Sequence, residues 1–160
     1  MGKSRKDHIH TSTGMWIIEC AEAKEVVNTK EGVFPYLLAQ IKRLKEGRLV
    51  VEEDVGERSW LERFLFSVKN PRIIQTHFAM EWWNDFASLI FIDDAGSEYR
   101  AKSNKSHVQP NEETRMRIEH GELTPHPVDE CLNLQMALEA IEEYFKSGER
   151  PNWLQYKYVK

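Results

Sequence analysis

Apolar residues recur along the chain in two rhythms: helical spacing in three stretches, and short solid or alternating runs elsewhere. Phe34, Leu37, Leu38, Ile41 and Leu44 would form one stripe on a helix over 34–46. Pro35 suits a first turn, where an N–H is not needed. Lys42, Arg43 and Lys45 crowd the negative helix end, and Gly47 is placed to cap it. Trp60, Leu61, Phe64, Leu65 and Val68 predict the apolar face of a second helix, 60–68. Ser59 and Glu62 have the spacing of a capping box at its start, and Asn70-Pro71 ends it. Leu134, Ala137, Leu138, Ile141 and Phe145 predict a third helix, 134–147, capped by Asn133 and stopped by Gly148 and Pro151.

The other runs read as strands: 15–20, 49–51, 72–80, 86–92, 98–102, 115–119 and 153–159. Residues 24–33 read as a turn and 103–113 as a polar loop. The run 86–92 is almost wholly apolar, which places it centrally with both faces covered. Asp93-Asp94-Ala95-Gly96 is a tight turn to the next strand, so these strands pair antiparallel. The expected class is α+β, a mainly antiparallel sheet packed against about three helices. No repeat or linker divides residues 1–160, and residues 1–10 read as a polar tail.

Composition supports a folded chain and narrows its partners. The 160 residues are 41% hydrophobic and 30% charged, with a net charge of −4. That balance excludes a disordered chain and a polyanion binder by bulk charge. No apolar run reaches the ~20 residues of a membrane helix, and the basic start Met1–His10 is followed by no apolar segment of a secretion signal. Cys20 and Cys131 are far apart and form no metal or disulfide pattern, which fits a reducing cytoplasm. The charge is uneven. Residues 1–80 carry 13 basic and 11 acidic groups, or +2, whereas residues 81–160 carry 9 and 15, or −6. An acidic C-terminal half favours a basic partner and repels nucleic acid.

No phosphate-binding loop, dinucleotide fingerprint, nucleophile elbow or metalloprotease helix is present. The expectation is therefore no catalytic set, no cofactor and no metal. His8 and His10 share a face only if they lie on a strand, and they lack a third ligand nearby. Glu52-Glu53-Asp54 lacks the spacing of a calcium loop. A small enzyme using His8, His10 or His77 with nearby carboxylates is the residual catalytic alternative, and an oligomerising scaffold is another. Trp82 and Trp83 stand out beside Asp85 and near Asp93 and Asp94. Adjacent strand residues face opposite ways, so one Trp can be core and the other an interface anchor. These five residues form the candidate partner surface.

The C-terminal third carries a further pattern. Gly121-Glu122-Leu123-Thr124-Pro125-His126-Pro127 precedes a helix containing Tyr144-Phe145, and Gly148-Glu149-Arg150-Pro151 then leads to Trp153-Leu154-Gln155-Tyr156. This resembles the closing pattern of immunity family one, small bacterial proteins that neutralise polymorphic toxins. In that family a helix ends in Gly-x-Arg-Pro and a strand finishes in Trp, where this chain has Tyr156. The resemblance implies an α+β cytoplasmic protein without catalysis that binds a cognate toxin domain, such as a nuclease or deaminase. It gives Gly148, Arg150, Pro151 and Tyr156 a role in the fold and transfers no toxin-contacting residue.

Overall fold

A computed structural model describes residues 14–20, 23–67, 69–103, 109–118 and 125–160. The predicted tail, His8, His10, His120 and the Gly121–Thr124 part of the C-terminal pattern lie outside the described residues.

The fold is α+β: the described residues form one antiparallel sheet with four α-helices. Its strands are β1 (Met15–Cys20), β2 (Ala23–Val27), β3 (Glu46–Glu57), β4 (Arg72–Trp83), β5 (Phe86–Ile92), β6 (Glu98–Lys102), β7 (Leu132–Asn133) and β8 (Gln155–Tyr158). Their order is β2-β1-β3-β4-β5-β6-β8, with β7 also pairing with β5. The helices are α1 (Lys30–Arg43), α2 (Trp60–Leu65), α3 (Glu112–Arg117) and α4 (Leu134–Ser147).

Helices α1 and α4 lie beside each other on one face of the sheet. Period two along the strands sends Trp16, Ile18 and Cys20, Leu49 and Val51, and Phe78, Met80 and Trp82 to that face, all buried. Val33, Leu37 and Ile41 of α1 and Ala137, Ala140, Ile141 and Phe145 of α4 close the core over them. Strand β5 is interior to the sheet, and Ala87, Ser88 and Leu89 are buried in succession, so both its faces are covered there.

Helix α4 matches its expected bounds. The Asn133 side chain accepts from the Gln135 N–H, and Gly148 ends the helix at φ 77°, a left-handed geometry that costs a side chain strain. The other two predicted helices need correction. α1 starts earlier, because Thr29 caps it by accepting from the Gly32 N–H. Pro35 therefore stands inside the helix rather than in its first turn, on an exposed side. Gly47 does not cap α1, which ends at an extended Leu44; it belongs to β3. The predicted turn 24–33 is strand β2, a cap and the first turn of α1.

α2 has the expected capping box: the Glu62 N–H donates to Ser59 Oγ and the Ser59 N–H donates to Glu62 Oε2. It ends at Leu65, however, and buries none of its residues. Its periodicity is real, but it sits at the tip of the twelve-residue strands β3 and β4, beyond the reach of α1 and α4. The expected strand 115–119 is instead α3, capped by Asn111, whose side chain accepts from the Thr114 N–H. The strand 49–51 extends to Glu46–Glu57, and 153–159 shortens to Gln155–Tyr158.

Candidate functional site

The residues singled out in the sequence separate in space. Trp82 is not an interface anchor: it is 1% exposed, and its indole N–H donates to the Leu44 carbonyl at 3.2 Å. Trp83 faces the other way, half-buried, with the Arg117 guanidinium 5.0 Å over its ring. Asp85 is exposed in the β4–β5 turn, and its carbonyl accepts from the Leu134 N–H at 2.7 Å. Asp93 and Asp94 follow the opposite end of β5, about 20 Å away at the rise of a strand. The five candidates therefore do not share a patch.

Asp93 and Asp94 instead meet the C-terminal motif. An open cleft of about 580 Å³ lies between the β5–β6 turn and the end of α4. Phe91, Asp93, Asp94, Tyr144, Glu149 and Arg150 line it, with Gly148 at the helix end. Asp93 builds the turn: its Oδ1 accepts from the backbone N–H groups of Ala95 and Ser97 at 3.0 and 2.9 Å. The Ser97 bond holds the Asp93 carboxyl below its usual range, with the Ala95 bond acting in the same direction. Asp94 is exposed and accepts from the Gln75 side-chain amide.

Across the cleft, Arg150 lies over two rings, 3.6 Å from the Tyr99 centroid and 5.2 Å from that of Tyr156. The guanidinium thus has aromatic faces as its partners. Tyr156 donates from its hydroxyl to the Pro151 carbonyl at 2.8 Å, and burial pushes its phenol up to about 12. Gly148, Arg150, Pro151 and Tyr156 thus fasten the end of α4 to β6 and β8.

Behind Tyr144 lies a polar chain that periodicity concealed. Val51 pairs with Phe78 and Glu52 with Thr76, so His77 is the extra residue of a β-bulge. The bulge puts His77 on the same covered face as Phe78, against Trp16, whose ring centroid is 4.8 Å away. His77 Nδ1 is 2.8 Å from the Tyr144 hydroxyl, and Nε2 is 3.1 Å from Glu53 Oε2. Burial lowers the His77 pKa, with Glu53 acting in the opposite direction. Burial pushes Tyr144 up to about 12, so its phenol keeps its proton at neutral pH.

A second polar cluster secures the opposite edge. Glu130, 3% exposed, accepts from Lys157 Nζ at 2.8 Å and lies 3.5 Å from Arg100. His126 is 1% exposed beside Arg100, and its carbonyl accepts from Arg115 Nε at 2.6 Å. Lys102 pairs with Asp129. These contacts tie the segment 125–130 and α3 to strands β6 and β8. A signal existed in the sequence, since His126, Asp129 and Glu130 are closely spaced, but their basic partners are remote along the chain.

Among the described residues, no group of three His, Cys, Asp or Glu side chains is arranged to hold a metal ion. Both cysteines are buried thiols, and burial pushes that of Cys20 up. No described helix is long and apolar enough to cross a membrane. No protein-family model matches the chain, and no curated protein matches it.

Proposed function

We propose that this protein is an immunity protein, which neutralises a cognate bacterial toxin domain by stoichiometric association and without catalysis. The observation that carries the reading is the acidic cleft at the Gly148-Glu149-Arg150-Pro151 motif. There the residues that resemble immunity family one stand opposite Asp93 and Asp94. Asp94 and Glu149 are exposed carboxylates on its rim. Arg150 is spread over two tyrosine rings, so its charge is held to one side of the cleft. A basic side chain from a nuclease or deaminase domain suits this rim, because such domains must themselves attract polyanions. In this reading the protein acts in the cytoplasm of the toxin-producing cell.

The test is association kinetics with the toxin domain encoded by the neighbouring gene. Asp93 builds the turn, so the informative changes are Asp94→Lys and Glu149→Lys. They should slow association, with the largest effect at low salt, since exposed charges are screened over about 10 Å at 0.1 M. Absence of binding, or binding indifferent to both changes and to salt, would overturn the reading.

The bonded chain Glu53–His77–Tyr144 favours a second reading, a small enzyme using a proton relay below the cleft. The raised Tyr144 phenol argues against it, because a group that retains its proton at neutral pH is a poor base. Toxin protection that survives His77→Gln would separate the two readings.

A further inference from the structure

Helix α2 stands bare at the tip of the β3–β4 hairpin. Trp60, Leu61, Phe64, Leu65 and the capping Phe66 are 76%, 49%, 77%, 63% and 73% exposed. At about 100° per residue the first four span ~140° of the helix surface and form one stripe. With about 150–250 Å² for a whole aromatic side chain, the stripe leaves roughly 600 Å² in water. That is at the limit of what folded monomers show, about 300–600 Å² for the largest patch. The segments outside the described residues carry too little apolar surface to match it: their apolar residues are Met1, Ile9, Ala21, Val68, Val108 and Leu123, with no aromatic ring. A cover of matching size has to come from another molecule.

Charges of opposite sign border the stripe on its two sides. Glu62 lies about 60° beyond Leu65 around the helix, and Arg63 about 60° beyond Trp60 on the other margin. Both are exposed, and Glu62 serves the capping box through Oε2 alone. Glu57, Arg58 and Lys69 continue the rim, so the patch carries two acidic and three basic groups. A border so mixed has little attraction for an anionic lipid surface, and it does not repel a copy of itself.

We propose that α2 pairs with α2 of a second copy, stripe against stripe, about a two-fold axis that runs along the two helices. Such an axis lays the helices side by side in the same direction. It sets Arg63 of each copy beside Glu62 of the other, on both margins of the contact. An axis across the helices would instead set Arg63 against Arg63 and Glu62 against Glu62. The two stripes together withdraw about 1,200 Å² from water, the lower end of a standard interface. Phe66 of each copy adds to it at the margin. The contact is the same patch on both copies, so it closes at two chains and leaves no apolar face to recruit a third. It needs neither the toxin nor the cleft, so it stands apart from the function proposed above.

The test is sedimentation velocity of the full chain from about 1 to about 100 µM, the range in which a contact of moderate strength associates. The mass should rise from 18.8 kDa to twice that value. The double change Trp60→Ser with Phe64→Ser should weaken association at least ~10-fold, as loss of aromatic anchors does. Both positions are more than three-quarters exposed, so the fold should persist, checked by circular dichroism. Arg63→Glu alone should weaken the dimer several-fold, most at low salt, and so should Glu62→Arg. An equimolar mixture of these two variants should associate again, because each margin then pairs opposite charges. A wild-type mass that stays at 18.8 kDa overturns the proposal. So does a dimer that survives the tip changes, or one indifferent to Arg63→Glu, which would mean antiparallel helices. Open-ended growth with concentration overturns the two-fold closure, and a monomer that pellets with phosphatidylserine vesicles through Trp60 and Phe64 assigns the stripe to lipid instead.

Discussion

The indole of Trp82 occupies the space where a side chain on Gly47 would begin: a Cβ there would lie 2.5 Å from the nearest ring carbon. The two residues are cross-strand partners in β3 and β4, and the Trp82 N–H reaches over to the end of α1 at the Leu44 carbonyl. One glycine thus lets the largest core side chain cross the neighbouring strand and tie a helix end to the sheet.

Gly47→Ala should therefore destabilise the protein by about 1–3 kcal/mol, the usual cost of overpacking. Trp82→Ala should cost about 3–5 kcal/mol. Urea unfolding measures both. A neutral Gly47→Ala would mean that the ring shifts freely, contrary to its packing.

Within α4, position rather than residue type should set the cost of truncation. Ile141 is fully buried, and Ile141→Ala should cost about 2–5 kcal/mol. Leu138 is half-buried at the margin of the core, so Leu138→Ala should cost distinctly less. Equal losses in urea unfolding would contradict this placement.

His77 should make stability depend on pH. Its folded pKa lies below the unfolded value, ~6.5 for histidine. Above that pH both states are neutral, and the group has no effect. As pH falls below about 6.5 the unfolded chain takes up the proton first, so stability declines until the folded pKa is passed. His77→Gln should flatten this slope below about pH 6.5 while costing stability at pH 7 through the Tyr144 contact. An unchanged slope in unfolding midpoints across that window would refute the assignment.

Arg150→Ala should cost about 0.5–2 kcal/mol, the range for a cation over aromatic faces. Arg150→Lys should recover only part of it, because an ammonium cannot lie flat between Tyr99 and Tyr156. Unfolding midpoints check both, and the near-ultraviolet dichroism of the tyrosines should change with the alanine variant.

Sequence by itself determined the elements whose signals are local. Asn133, the apolar stripe of α4 and Gly148 define that helix without outside help, and the solid apolar run of β5 demands cover on both faces. The α+β class followed from such runs and from the turn at Asp93–Gly96. Tertiary structure decided whatever depended on a distant partner. Among the described residues no sheet or helix covers the apolar stripe of α2, because the long hairpin carries it past the core. The bulge turns His77 inward, against the alternation of its own strand. Strand alternation put Trp82 on the helix-covered face, where Gly47 on the next strand leaves room for its ring, and turned Trp83 to the opposite face. The cleft joins residues near 93 with residues near 149, remote in the chain, through pairing of β5, β6 and β8, so no local pattern could disclose it. Helix caps and apolar periods are short-range physics; which faces remain uncovered is settled only when the whole chain packs.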